Sequence, residues 1–133
     1  MADADVADLP VFTLENGIVG FPELTRYVLV RLDDQGLVFD LRAVDDHRVR
    51  FVVVPSVAFF PNYAPEVDDS VASSLELESN QDTLVLVIVT VGATIAESTA
   101  NLMAPIVLNA RSRIGAQVVL DDPGLSLRAP LSV

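Results

Sequence analysis

The chain has no cysteine and no lysine. Without cysteine there are no disulfides, no thiolate nucleophile and no zinc-finger spacing, which fits a reducing cytoplasm. Without lysine, all eight basic residues are arginines, and a formal net charge of -11 disfavours a phosphate backbone as partner unless those arginines gather on one face. A basic partner is the better match. Long apolar runs are missing too. The longest, Leu84 to Val89 continued by Thr90 and Val91, is far below the ~18 to 20 residues that cross a bilayer, and it reads as a core strand. The opening MADADVADLP has no basic start and no apolar stretch of the secretory kind, so a cytoplasmic chain is expected.

What is present fits one domain. A chain of 133 residues can bury roughly two thirds of the surface its unfolded form exposes. Residues 1–9 read as a loose acidic lead-in and 10–133 as a single β domain. From Phe51 to Ala110 there is no basic residue, while Glu66, Asp68, Asp69, Glu76, Glu78, Asp82 and Glu97 all fall there. Half the chain carries most of the negative field.

Pro10 to Leu14 reads as a first strand, and Asn16-Gly17 as the turn after it. Tyr27 to Leu32 and Leu37 to Val44 alternate around Asp33-Asp34-Gln35-Gly36, which predicts a hairpin with Gly36 left-handed and a wet outer face holding Asp40 and Arg42. Phe51 to Val54 is apolar on both faces, so both sides should be covered, and Pro55 ends it. Phe59, Phe60 and Tyr63 lie among Pro61 and Pro65, a shaped corner too proline-rich for a helix. One helix is expected, capped by Asp68 or Asp69 and running through Leu77.

Thr83 to Val91 reads as the longest strand, and Gly92 to Asn101 as a loop with room for one helical turn. Met103 to Leu108 and Gln117 to Leu120 form a further pair, with the connection closed at Gly115. Asp121-Asp122-Pro123-Gly124 is a turn, and Ser126 to Leu131 adds an edge strand. The sum is an all-β fold, a small closed or nearly closed antiparallel β-barrel with one short helix.

Few constellations suggest chemistry. His47 beside Asp45 and Asp46 could ligate a metal or transfer protons, but it is the only histidine, and an exposed turn explains the cluster as well. Ser56 or Ser98 lacks the G-x-S-x-G elbow that a serine triad would bring. The Gly17 to Gly20 segment lacks the lysine and third glycine of a phosphate loop. The Asp33-Asp34, Asp68-Asp69 and Asp121-Asp122 pairs lack calcium-loop spacing. No catalytic, metal or cofactor-binding residue is assigned.

FVVVPSVAFFPNY, then STANLMAPIVLNARSRIGAQVVLDD, then SLRAPL resemble the flagellar assembly factor FliW family, with similarity from about Gly17 to Leu131. The hairpin arm LVFDLRAV and Gly92-Ala93 depart from the usual family pattern. The resemblance implies a non-enzymatic protein that binds flagellin and, alternately, the dimeric RNA-binding regulator CsrA. It would antagonise CsrA allosterically and so couple flagellin synthesis to secretion. It implies no cofactor, no direct nucleic-acid contact and no membrane, and the free protein is expected to be monomeric. Tyr63, Glu66, Asp68, Asp69, Glu76 and Glu78 are the candidate partner-binding residues, because acids beside an aromatic corner suit a basic regulator. Asn101 and Pro105 read as framework.

Two other classes are distinguishable. A ligand-binding or hydrolytic barrel would use His47, Asp45 and Asp46. A nucleic-acid barrel would bring Arg42, Arg48, Arg50, Arg111 and Arg113 to one face.

Overall fold

A computed structural model describes residues 9–65, 67–77 and 82–131. The strands β1 (Val11–Leu14), β2 (Arg26–Arg31), β3 (Phe39–Ala43), β4 (Arg50–Pro55), β5 (Thr83–Thr90), β6 (Thr99–Asn109) and β7 (Ile114–Gln117) form a meander, each antiparallel to the next. β7 then pairs with β1 in parallel, Thr13 opposite Ile114 and Leu14 opposite Gly115, which closes the ring. The parallel seam follows from counting. Strands that alternate direction around a ring of seven must leave one neighbouring pair pointing the same way. A short β8 (Ala129–Pro130) lies outside the ring on β6. The expected barrel is present, with one parallel joint in an otherwise antiparallel wall.

Two apolar layers explain why the central strands carry no polar face. Inside the barrel Phe12, Leu14, Tyr27, Leu41, Val53, Leu86, Ile106 and Leu108 form one cluster. Outside it Val54, Val87, Val89, Ala100 and Leu131 form another, covered by Phe59, Phe60, Tyr63 and Leu102. Successive residues point to opposite faces of a strand, so Val53 serves the first layer and Val54 the second.

Several sequence expectations are corrected. The proline-rich corner does hold a helix, α1 (Ser56–Phe59), because Pro55 and Pro61 flank it. Pro55 is its N-cap, a position that needs no amide donor. The acidic helix is α2 (Asp69–Ser74), and Asp68 stands at its N-cap without a side-chain capping bond. It stops before Leu77 because Glu76 adopts φ 57°. Glu76 and Leu77 amides then donate to the Ser73 and Ala72 carbonyls, a Schellman stop.

β6, with 11 residues, is longer than β5, with 8. Thr99 and Ala100 are strand rather than loop, since β5 pairs with them on one side and β8 on the other. Partners on both sides override weak local preference. The turn into β7 takes its left-handed residue at Arg113, φ 64°, and not at Gly115. Gly115 lies inside β7, where a Cβ would stand 2.3 Å from Leu108 Cδ2 and 2.8 Å from the Val107 carbonyl. β7 therefore starts three residues before the expected Gln117.

The outer face of the β2–β3 hairpin is not wet at its centre. Asp40 is 3% exposed, with Arg42 Nη2 at 3.0 Å and Arg50 Nη1 at 3.5 Å from its Oδ2. A carboxylate can be buried when cations hold it. Gly36 is left-handed as expected, φ 72°, and the Asp33 carboxylate accepts from the Leu37 and Val38 amides.

Candidate partner-binding site

The site is built on an irregularity in β6. Leu86 pairs with Ile106 and Ile88 with Asn101, so residues 102–105 of β6 stand opposite the single residue Val87. Pro105, which has no amide to donate, is tolerated inside this bulge. Asn101 Oδ1 accepts from the Met103 amide at 2.9 Å, and the Leu102 amide donates to the Ser126 carbonyl. The Leu102 carbonyl is thereby turned toward the aromatic corner, where the Tyr63 hydroxyl donates to it at 2.6 Å. Burial pushes the Tyr63 hydroxyl up to about 12, so it remains a donor through the neutral range.

Around that bond two adjoining depressions open. A shallow lane of about 380 Å³ is lined by Phe59, Phe60, Pro61, Asn62, Tyr63, Leu102 and Leu125. A cleft of about 530 Å³ continues past Asn62, Tyr63 and Leu125 to Ala64, Pro65, Asp68, Leu120, Asp121 and Asp122. Tyr63 thus stands where an apolar lane becomes an acidic cleft.

Of the candidate residues, Tyr63 and Asp68 come together in this cleft. Asp69 is exposed in the first turn of α2, and Glu76 is exposed beyond its end. Glu66 and Glu78 lie outside the described residues. The Glu76 backbone is firmly placed: Asn109, fully buried at the end of β6, donates from Nδ2 to the Leu75 carbonyl at 2.8 Å and to the Glu76 carbonyl at 3.0 Å. Arg111 Nη2 reaches the same Glu76 carbonyl. Sequence reasoning missed Asp121, Asp122, Leu120 and Leu125. The signal was the strong Asp-Asp-Pro-Gly turn, but nothing in its spacing says that it folds back against Tyr63.

Among the other candidates, two carboxylates beside His47 are taken. Asp45 is held by Arg26 and Asp46 by Arg48, and hydrogen bonds from these guanidiniums lower both carboxyls below their ordinary range. His47 is exposed on the same turn. Among the described residues no group of three or more His, Asp or Glu is placed to hold a metal ion. Arg42 and Arg50 converge on Asp40, and Arg111 on Asp82. These arginines therefore meet carboxylates of their own chain. No described helix is long and apolar enough to cross a membrane.

Fold and groove together define a class: a small closed seven-stranded barrel with a second apolar layer and an acidic cleft on its outer wall. The family model described as FliW protein matches residues 1–131. A flagellar assembly factor FliW of Shouchella clausii is 36% identical over 121 residues, covering 91% of this chain and 83% of that protein. The flagellar assembly factor FliW of Bacillus subtilis is 32% identical over 127 residues, covering 96% and 89%. A crystal structure of the flagellar assembly factor FliW superposes with a TM-score of 0.85 at 32% identity, covering 92% of this chain and 86% of that one. The chain belongs to the FliW family, the flagellar assembly factors.

Proposed function

We propose that the chain binds flagellin and CsrA in alternation, and that the acids beside the aromatic corner meet CsrA. The observation that carries this is the cleft itself. Asp68, Asp121 and Asp122 line it next to an apolar lane, with no arginine in the lining, on a chain of formal net charge -11. Such a field speeds encounter with a basic RNA-binding protein and repels RNA. Bound away from the RNA surface, the chain antagonises CsrA allosterically, and export of flagellin frees it to do so. The role is non-enzymatic and cytoplasmic, and the free protein is a monomer that makes no direct nucleic-acid contact.

Calorimetry with purified CsrA tests this. The pair Asp68→Asn and Asp69→Asn should weaken binding and flatten its salt dependence, and unchanged affinity at low salt would overturn the assignment of this face. In a mobility-shift assay with flagellin leader RNA, the chain alone should shift nothing and should reverse the shift made by CsrA.

A further inference from the structure

We propose that the continuous groove takes a cationic amphipathic segment of a partner protein, its apolar side chains along Phe59, Phe60, Leu102 and Leu125 and its arginine or lysine reaching Asp68, Asp121 and Asp122. This rests on the reading that this face meets proteins, and it names the chemistry of the segment rather than its owner.

Three observations converge on it. The lane and the cleft share Asn62, Tyr63 and Leu125, so one bound segment can occupy both without leaving the surface. Their chemistry changes along that path, from aromatic and aliphatic to acidic, which is the polarity of an amphipathic chain with basic flanks. Finally, the groove acids lack the intramolecular cations that hold three acids of the β2–β4 wall. Asp40, Asp45 and Asp46 each face an arginine, whereas no described residue forms an ion pair with Asp68, Asp121 or Asp122. Beside an apolar lane, their charge is free to meet the cations of a partner.

The walls are held before anything binds. Leu120 donates its amide to the Met103 carbonyl at 2.7 Å, Gly124 donates to Asp122 Oδ1 at 2.9 Å, and Tyr63 is tied to Leu102. Fixed walls lower the ordering cost of binding. With its tip anchored this way, the Asp121-Asp122 turn is a wall of the groove rather than a solvated loop.

The probes are two designed helical peptides, one of leucine and arginine and one of leucine and glutamate, titrated into the full chain and followed by methyl NMR and fluorescence anisotropy. The arginine peptide should bind and perturb the Leu102 and Leu125 methyls, and the glutamate peptide should not bind. Leu125→Arg, with folding checked by circular dichroism, should abolish binding. Asp68→Asn, Asp121→Asn and Asp122→Asn combined should weaken it roughly tenfold or more at low salt. Neutralising the exposed Glu23, Asp34 and Glu97 instead removes the same charge from outside the lining and should cost far less. Equal losses from the two triple variants, or equal binding of the two peptides, would overturn the proposal. Because neither CsrA nor flagellin is used, a failure here is separable from a failure of the functional reading.

Discussion

The Tyr63 hydroxyl donates to the Leu102 carbonyl at 2.6 Å, across 39 residues of sequence. That bond joins the corner after β4 to the bulge of β6, which in turn bonds Leu120 and Ser126 at either end of the third segment that lines the groove. A backbone carbonyl inside a regular ladder would have been taken by a neighbouring strand. The bulge frees this one, and Tyr63 uses it.

Replacing Tyr63 by phenylalanine should leave the Leu102 carbonyl without that donor and cost about 1 kcal/mol or slightly more. Alkaline titration gives a second reading. Burial raises the Tyr63 hydroxyl from 10.0 in its ordinary state to about 12, so the folded chain favours the protonated phenol. The corresponding stability is fully present below pH 10 and is lost as pH rises through about 12. Tyr27, buried inside the barrel, is raised in the same direction. Denaturation between pH 9 and 12 should therefore show a shallower decline for Tyr63→Phe than for the parent chain, with a residual slope from Tyr27. Parallel curves would remove the titration of Tyr63 from the account.

Glu76 sits at φ 57°, where a side chain crowds its own backbone, at the residue that ends α2. Glu76→Gly relieves this and keeps the backbone bonds from Asn109 and Arg111, which go to its carbonyl. The expected result is a stability gain of about 0.5–1 kcal/mol by thermal or urea unfolding. The same change removes a candidate contact, so affinity for CsrA should fall while stability rises. A loss of both would mean that the side chain supports the fold.

The same exchange applies at the β6–β7 turn, and its reverse inside β7. Arg113→Gly should stabilise by a similar amount, since Arg113 and not Gly115 takes the left-handed conformation. Gly115→Ala should destabilise by about 1–3 kcal/mol, because the new methyl meets Leu108 and the Val107 carbonyl across the antiparallel β6–β7 pair. If the two substitutions swap signs in urea titrations, the register of β7 against β6 is wrong.

These two turns also show what the residues disclose. Many hairpin connections take a left-handed residue, and glycine supplies it at least cost, so the sequence predicts closure at Gly115. Glycine here answers a different demand, the close approach of two strands, which only pairing reveals. The strands along the chain follow from alternation and turn residues, and the double apolar face of Phe51–Val54 announces a layer on each side. The candidate site was half legible. Tyr63 and Asp68 could be proposed because they are close in sequence, whereas Asp121, Asp122 and Leu125 join them only through the β6 bulge. A bulge is a mismatch between two strands, and one strand's sequence cannot display it. Asp40 fails for a related reason: alternation assigns it to the solvent side with Arg42, and the second cation over it, Arg50, is brought from β4 by register.

Asp40 yields a last test, of the ion pair it makes with Arg42 on its own strand. Its carboxylate is almost fully buried between Val30 and Val52, its cross-strand partners, and serves two arginines. Asp40→Val strands the guanidinium of Arg42, whose side chain is only 19% exposed, while the more exposed Arg50 can turn to water. The loss should be about 2–3 kcal/mol, toward the lower end for a buried pair because one cation stays hydrated. Removing both ends, with Asp40→Val and Arg42→Val together, should recover most of that loss, since no buried charge is left and valines already flank the position. A double-mutant cycle by urea unfolding measures the coupling directly. If the double variant is as unstable as the sum of the single changes, Asp40 and Arg42 do not act on each other, and the burial of that carboxylate needs another cause.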